Sequence, residues 1–339
     1  MAIPIRMQEV WLKNHVAVGP RIGVRAVWRE NHKKTEKPVR IREVWQENLE
    51  KEFRIIQSVL GQYPNVSMDI EFPGVVYQSD KHYSLLSPSE CYLMMKKNVD
   101  ALKIIQFGLT LSDAQGNLPN LGTEFCYVWE FNFQDFDVDN DLHNPESIDL
   151  LKRQGIDFLK NKQKGIRSPQ FARLFMLSGL SFRLDPLWLD RNRRTLVTFH
   201  GTYDFGFLIK ILIQRELPHN LSDFMMLIRV HFGITVYDMK QMIGFCGLYG
   251  GLEQVATSLK IKRMAGKSHQ AGSDSLLTMQ TYMELRKSYF NGPRMVLLNK
   301  FNYILTGLTK RNQVVNHVIH FCLVDDSCNF DSSLLYGIC

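Results

Sequence analysis

The chain has 339 residues, 45% of them hydrophobic and 22% charged, which excludes collagen-like, coiled-coil and wholly disordered proteins. Its formal charge is +7, and residues 1–54, with 12 Lys and Arg against 7 Asp and Glu, supply most of it, so bulk charge neither demands nor excludes a nucleic-acid groove. The longest apolar run, residues 205–213, is interrupted by Lys210 and is too short to span a membrane. The first 30 residues carry Arg6, Lys13, Arg21, Arg25 and Arg29 without a secretory core, so the chain is expected to be intracellular. Its six cysteines form no C-x-x-C pair and are expected to be reduced packing thiols.

The N-terminus repeats a Trp-centred segment three times at a spacing of 17, as Glu9-Val10-Trp11, Ala26-Val27-Trp28 and Glu43-Val44-Trp45. Only the third copy continues into a helical pattern, with Val44, Trp45, Leu49, Phe53, Ile56 and Leu60 at three-to-four spacing before Tyr63-Pro64. Residues 1–37 are therefore expected to be a poorly ordered repeated extension, and the domain to begin near Pro38. A strand follows at 65–72, closed by Pro73-Gly74. Two more, at 102–112 and 123–133, are joined by a turn-rich segment at 113–117, which suggests three antiparallel strands. From residue 145 the pattern turns helical, at 145–154, 168–178, 205–215, 221–232, 251–260 and 273–290, with short strands at 195–199 and 235–237. Strands first, then strand and helix in alternation, predict an α/β mixed sheet with helices packed on it, in one domain over 38–292.

Within this frame the acids stand out. Asp69 and Glu71 lie two apart on a strand otherwise made of Val66, Met68, Ile70 and Phe72, so both emerge on one face. Either that face is solvated or the two acids share a cation, the usual compensation for clustered carboxylates. Asp204 follows the strand at 195–199 and opens an apolar helix, at the carboxyl end of a sheet strand where α/β sites collect; capping that helix is its other reading. His269 and Asp274 sit at a loop-to-helix junction, where Asp274 is either a cap or a ligand and His269 is either a surface residue or a base hanging over what Asp274 binds.

The order D-x-E, then D, then H-x(4)-D resembles the DEDD exonucleases of ribonuclease H-like fold. The strings Met68-Asp69-Ile70-Glu71-Phe72-Pro73-Gly74-Val75-Val76, Tyr203-Asp204-Phe205-Gly206 and His269 through Thr278 carry the resemblance further. With 102–111 and 155–158, they are similar to the poly(A) ribonuclease subunit of the Ccr-Not complex, the Ccr-associated factor family of deadenylases, over about residues 40–292. The resemblance implies a ribonuclease H-like mixed β-sheet in which Asp69, Glu71, Asp204 and Asp274 hold two divalent ions, Mg or Mn, and His269 is the general base. It also implies 3′-to-5′ removal of poly(A) from single-stranded mRNA tails with release of 5′-AMP. The implied partners are a Not-type scaffold and Ccr-type subunits, with no membrane, in cytoplasm and nucleus. Phe72, with Pro73 and Gly74, would shape the rim where the RNA 3′ end enters and stack on a base, or else belong to the core. Asp238 matches a further family string and is read as the cap of the helix after it.

Two features depart from the family. Gly201-Thr202 stands where a Ser and a small residue are expected, which alters the turn and keeps the carboxylate. The expected Leu-Tyr-Gly segment appears as Leu335-Tyr336-Gly337 only after residues 293–333, so 293–339 is read as an atypical extension containing a loosely packed insertion, an extra helix docked on the domain being the other reading. A non-catalytic interaction subunit of the same complex is the alternative function, and a nuclease acting on other nucleic acids is a third; the five candidate catalytic residues favour the enzyme.

Overall fold

The computed structural model describes residues 37–181, 194–233 and 235–309. Six strands lie among them: β1 Val39–Val44, β2 Asn65–Glu71, β3 Gln106–Ser112, β4 Cys126–Asn132, β5 Thr195–Thr198 and β6 Thr235–Asp238. They form one mixed sheet in the order β1-β4-β3-β2-β5-β6. The chain meander β2, β3, β4 is antiparallel as expected, while β1 and β5 join it in parallel and β6 extends β5.

β2 is a central strand, which removes the reading of Asp69 and Glu71 as the solvated face of an edge. Its Val66, Met68 and Ile70 enter the main core with Phe107, Leu109, Phe131 and Phe205. The opposite face carries Ser67, whose Oγ donates to the Ser275 carbonyl at 2.7 Å, and with it Asp69 and Glu71.

Eleven α-helices occur among the described residues. The first five are α1 Leu49–Val59, α2 Pro88–Ala101, α3 Pro145–Gln154, α4 Phe158–Lys164 and α5 Ser168–Leu177. The others are α6 Thr202–Ile213, α7 Leu221–Phe232, α8 Met239–Ile243, α9 Leu252–Ser258, α10 Ala271–Tyr289 and α11 Met295–Leu298. Four differ from expectation. Val44 and Trp45 are not the start of a helix: Val44 ends β1, and Asn48 turns the chain by accepting the Trp45 N–H at 2.7 Å and donating to the Glu43 carbonyl at 3.0 Å. β1 itself alternates Val39, Ile41 with Arg40, Arg42, whose guanidinium groups stack on Phe125 and Tyr127. α2, α4 and α11 are additional. α2 opens with a capping box between Ser87 and Glu90 and with Pro88 in its first turn. Its last carbonyls, of Val99, Asp100 and Leu102, accept from Lys210 Nζ at 2.8, 3.0 and 3.0 Å, so the lysine that interrupts the apolar run of α6 closes a neighbouring helix.

The loosely packed insertion is corrected for residues 293–309. Leu297, Leu298 and Phe301 are buried in a second core cluster with Phe290 and Met242, and Leu305 and Leu308 in the main one. Asn302 and Tyr303 pair with the outer edge of β6, with Val236 N–H donating to Asn302 Oδ1 and Tyr303 N–H to the Val236 carbonyl, both at 2.9 Å. The string Leu305-Thr306-Gly307 docks here, so the domain does not stop at residue 292. Residues 1–36, which hold the first two repeat copies, and Leu335-Tyr336-Gly337 lie outside the described residues. The three cysteines among the described residues are free, and no helix there is long and apolar enough to cross a membrane.

Candidate active site

Three elements bring the four acids together. β5 pairs with β2 only from Asn65 to Ser67. Beyond that point the chain leaves the sheet for α6, so the backbone N–H of Ile70 on β2 is open to a side chain, and the Asp204 carboxylate takes it. That hydrogen bond places Asp204 against the residue between Asp69 and Glu71. The turn leading to it is fixed by Asp238, whose Oδ1 accepts the His200 and Lys240 N–H groups at 2.7 and 3.1 Å and whose Oδ2 accepts the Thr306 N–H at 2.9 Å. Thr202, the first residue of α6, donates its hydroxyl to the Thr306 carbonyl. Asp238 is thus the helix cap it was read as, and also the clasp between the Asp204 turn and residues 293–309.

Asp274 arrives from above the sheet on α10. Of that helix's small residues Ala271 and Ser275 meet β2 and β3, Ser275 through Ser67 and Thr110, while Gly272 lies against Glu130 of β4, which permits close approach. A Cβ at Gly108 would lie 1.8 Å from the Ala271 carbonyl oxygen. His269 has a φ of 58° in the left-handed region, is exposed, and donates its N–H to Asp274 Oδ2 at 2.9 Å. Glu71, His269 and Asp274 each offer a ligating atom within 4.8 Å of the others.

The electrostatics describe acids packed too closely to be ionised together. Burial, and then the charges of Asp204, Asp274 and Glu71, hold Asp69 well above the usual carboxylate range; burial with Asp274 and Asp204 does the same to Glu71. Burial pushes Asp204 up to about 7 against the pull of its backbone hydrogen bonds. Asp274 is raised by burial and pulled back by Arg263, whose Nη1 lies 2.6 Å from Oδ1 while its Nη2 is held by Glu253 at 2.6 Å. Arg263 thus bridges Asp274 and Glu253 at the edge of the acid cluster. Buried carboxylates that raise one another, with one arginine at their edge, fit a set of hard oxygen ligands for divalent cations.

Phe72 is half-buried and stacks on Tyr203 at 5.1 Å and 13°, with Phe207 at 5.0 Å on its flank. Phe72 and Tyr203 both pack against the main core, so the structure supports the core reading of Phe72. The five candidate catalytic residues from the sequence, Asp69, Glu71, Asp204, His269 and Asp274, therefore converge. Two residues touching the site were missed. Arg263 lies in a basic run, Lys260 to Arg263, that has no distinguishing spacing. Glu130 had a signal, since it interrupts the apolar strand β4 as Asp69 and Glu71 interrupt β2.

The profile of the CAF1 family ribonuclease matches residues 44–172. "Probable CCR4-associated factor 1 homolog 10" of Arabidopsis thaliana is 43% identical over 261 residues, 77% of this chain and 89% of the relative. "Poly(A) ribonuclease pop2" of Schizosaccharomyces pombe is 40% identical over 251 residues, 72% of this chain and 68% of the relative. The solved S. pombe Pop2p with Mg²⁺ and Mn²⁺ bound superposes with a TM-score of 0.69 at 40% identity, over 79% of this chain and 99% of that one. Yeast CAF1, solved with the NOT1 MIF4G domain, gives 0.58 at 32% identity, over 75% of this chain and 91% of that one.

Proposed function

Because the chain belongs to the CAF1 family of ribonucleases, we propose that it shortens the poly(A) tails of messenger RNA from the 3′ end, releasing 5′-AMP. The observation that carries this reading is the convergence of four mutually repelling acids, Asp69, Glu71, Asp204 and Asp274, beneath the exposed His269. These four carboxylates are the ligands for two divalent ions, Mg²⁺ or Mn²⁺, which S. pombe Pop2p binds. When bound, such ions stabilise charge on the attacking and leaving oxygens of a phosphodiester.

The chain's own histidine supplies the base. His269 accepts the proton of the attacking water on a ring nitrogen, from a loop whose backbone is tied to Asp274 and whose imidazole is open to solvent. The partner is a Not-type scaffold, as for yeast CAF1 with NOT1, together with Ccr-type subunits, and the sites of action are cytoplasm and nucleus.

The test is purified protein with 5′-labelled RNA ending in adenosines, in Mg²⁺ or Mn²⁺ and then in EDTA. A metal-dependent ladder that stops at the tail boundary is the expected result. No ladder in either metal overturns the enzyme reading; a ladder that runs on through other bases overturns adenine specificity alone.

A further inference from the structure

α10 carries Asp274 in its first turn, yet its own N-cap residue, Gln270, gives it no side-chain cap. The Gln270 side chain is engaged elsewhere, accepting the Lys267 N–H at 2.9 Å and donating to the Gln154 carbonyl at 3.0 Å. The first amides of the helix are met from the sheet instead. Gly272 N–H donates to Glu130 Oε2 at 3.0 Å, and Ala271 N–H to Gln106 Oε1 at 3.3 Å. Gln106 is itself fixed by donating to Asn132 Oδ1 at 2.7 Å and to Glu130 Oε1 at 3.3 Å.

The register explains why these side chains reach the helix. Glu130 on β4 pairs with Gly108 on β3, which pairs with Asp69 on β2, so Glu130 and Asp69 flank a gap in one row across the sheet. The helix start fills that gap. A Cβ on Gly272 would lie 2.9 Å from the Glu130 Cβ, and one on Gly108 would meet the Ala271 carbonyl. Glu130 is buried, and no Lys or Arg among the described residues pairs with it. Burial raises its carboxyl to about 7 against the pull of the Gly272 N–H.

We propose that Glu130, with Gln106, is a positioning residue that caps α10 from the neighbouring strands and thereby sets Asp274 and His269 over Asp69 and Glu71. The helix amides would otherwise be orphaned in a buried place, and the residues they precede are the ones the proposed chemistry needs. Its catalytic consequence rests on the nuclease reading; its structural consequence does not.

The test compares Glu130→Leu, which keeps most of the volume and loses the acceptor, with Glu130→Gln, which keeps an acceptor. Amide hydrogen exchange at residues 271–274 is followed without metal, along with the Mn²⁺ concentration for half-maximal activity and kcat and KM on an oligoadenylate. Glu130→Leu should speed exchange and raise the Mn²⁺ requirement by about 10- to 100-fold, as loss of an outer-shell partner does. Its kcat should fall while KM stays within about twofold, and Glu130→Gln should recover all three. Unchanged exchange and Mn²⁺ requirement in Glu130→Leu overturn the proposal, as does failure of Glu130→Gln to recover. If Glu130→Leu does not fold, Gln106→Ala must speed exchange of the Ala271 amide for the proposal to stand. Wild-type protein inactive in every metal would remove the nuclease reading and leave the exchange comparison intact.

Discussion

The backbone N–H of His269 donates to Asp274 Oδ2 at 2.9 Å, closing the loop before α10 onto the helix's first turn. The contact uses the histidine's main chain and leaves its ring uncommitted. His269→Ala should therefore lower kcat by about 10² to 10⁴, the contribution of a general base, with no change in the melting-temperature gain that Mn²⁺ produces. Loss of that gain along with activity would make His269 a ligand.

Asp69→Asn, Glu71→Gln, Asp204→Asn and Asp274→Asn should each reduce turnover by about 10³-fold or more, since each removes several kcal/mol of charge stabilisation supplied through the ions. The same changes relieve repulsion among buried acids, so the metal-free variants should melt no lower than wild type. Calorimetry in EDTA and in Mn²⁺ checks both halves, and a wild-type Mn²⁺ response in Asp204→Asn would remove that residue from the ligand set.

The raised acids also fix a pH dependence. Asp69, Glu71, Asp204 and Asp274 bind protons more tightly folded than unfolded. Their contribution is present near the unfolded carboxylate pKa of about 4 and is lost as pH rises; for Asp204 the loss runs through about 7. Glu90 and Asp137, held down to about 2, act in the opposite sense only at lower pH. The metal-free protein should melt higher at pH 5 than at pH 8, and the Mn²⁺ gain should grow over the same interval because binding requires the ionised acids. A metal-free melting temperature that rises with pH would contradict this.

Residues 293–309 should be indispensable to the domain. Leu305 is fully buried, and Leu305→Ala should cost about 2–5 kcal/mol by chemical denaturation. Ending the chain at residue 292 also removes the Thr306 contacts to Asp238 and Thr202, so it should abolish activity as well as cooperative unfolding. A stable, active chain of that length would restore the insertion reading.

Gly108→Ala places a methyl group where the Ala271 carbonyl lies. Overpacking of this kind costs about 1–3 kcal/mol, and relief by lifting α10 would move Asp274 and His269 together. The expected outcome is a lower melting temperature with a raised Mn²⁺ requirement, both read in one titration of the purified variant.

Asp69 and Glu71 were legible because a strand's period of two puts alternate residues on one face, whatever the rest of the fold does. Asp204, His269 and Asp274 were legible as polar residues at element junctions, and the strings around them carried the family resemblance. The same local signals gave the antiparallel β2–β4 meander and most of the helices. What the sequence could not rank were contacts between distant segments. β1 was hidden because its pairing partner is β4, more than 80 residues on, and the start of the following helix masked its alternation. The docking of residues 293–309 depends on the outer edge of β6 and on Asp238, neither of which has a local pattern pointing to Thr306. Glu130 gained its role only when β3 brought Gly108 between it and Asp69. Composition and periodicity act over a turn or a strand and so determined which side chains were chemically apt; the packing of α10 onto a glycine in the sheet, a non-local event, decided which of them meet.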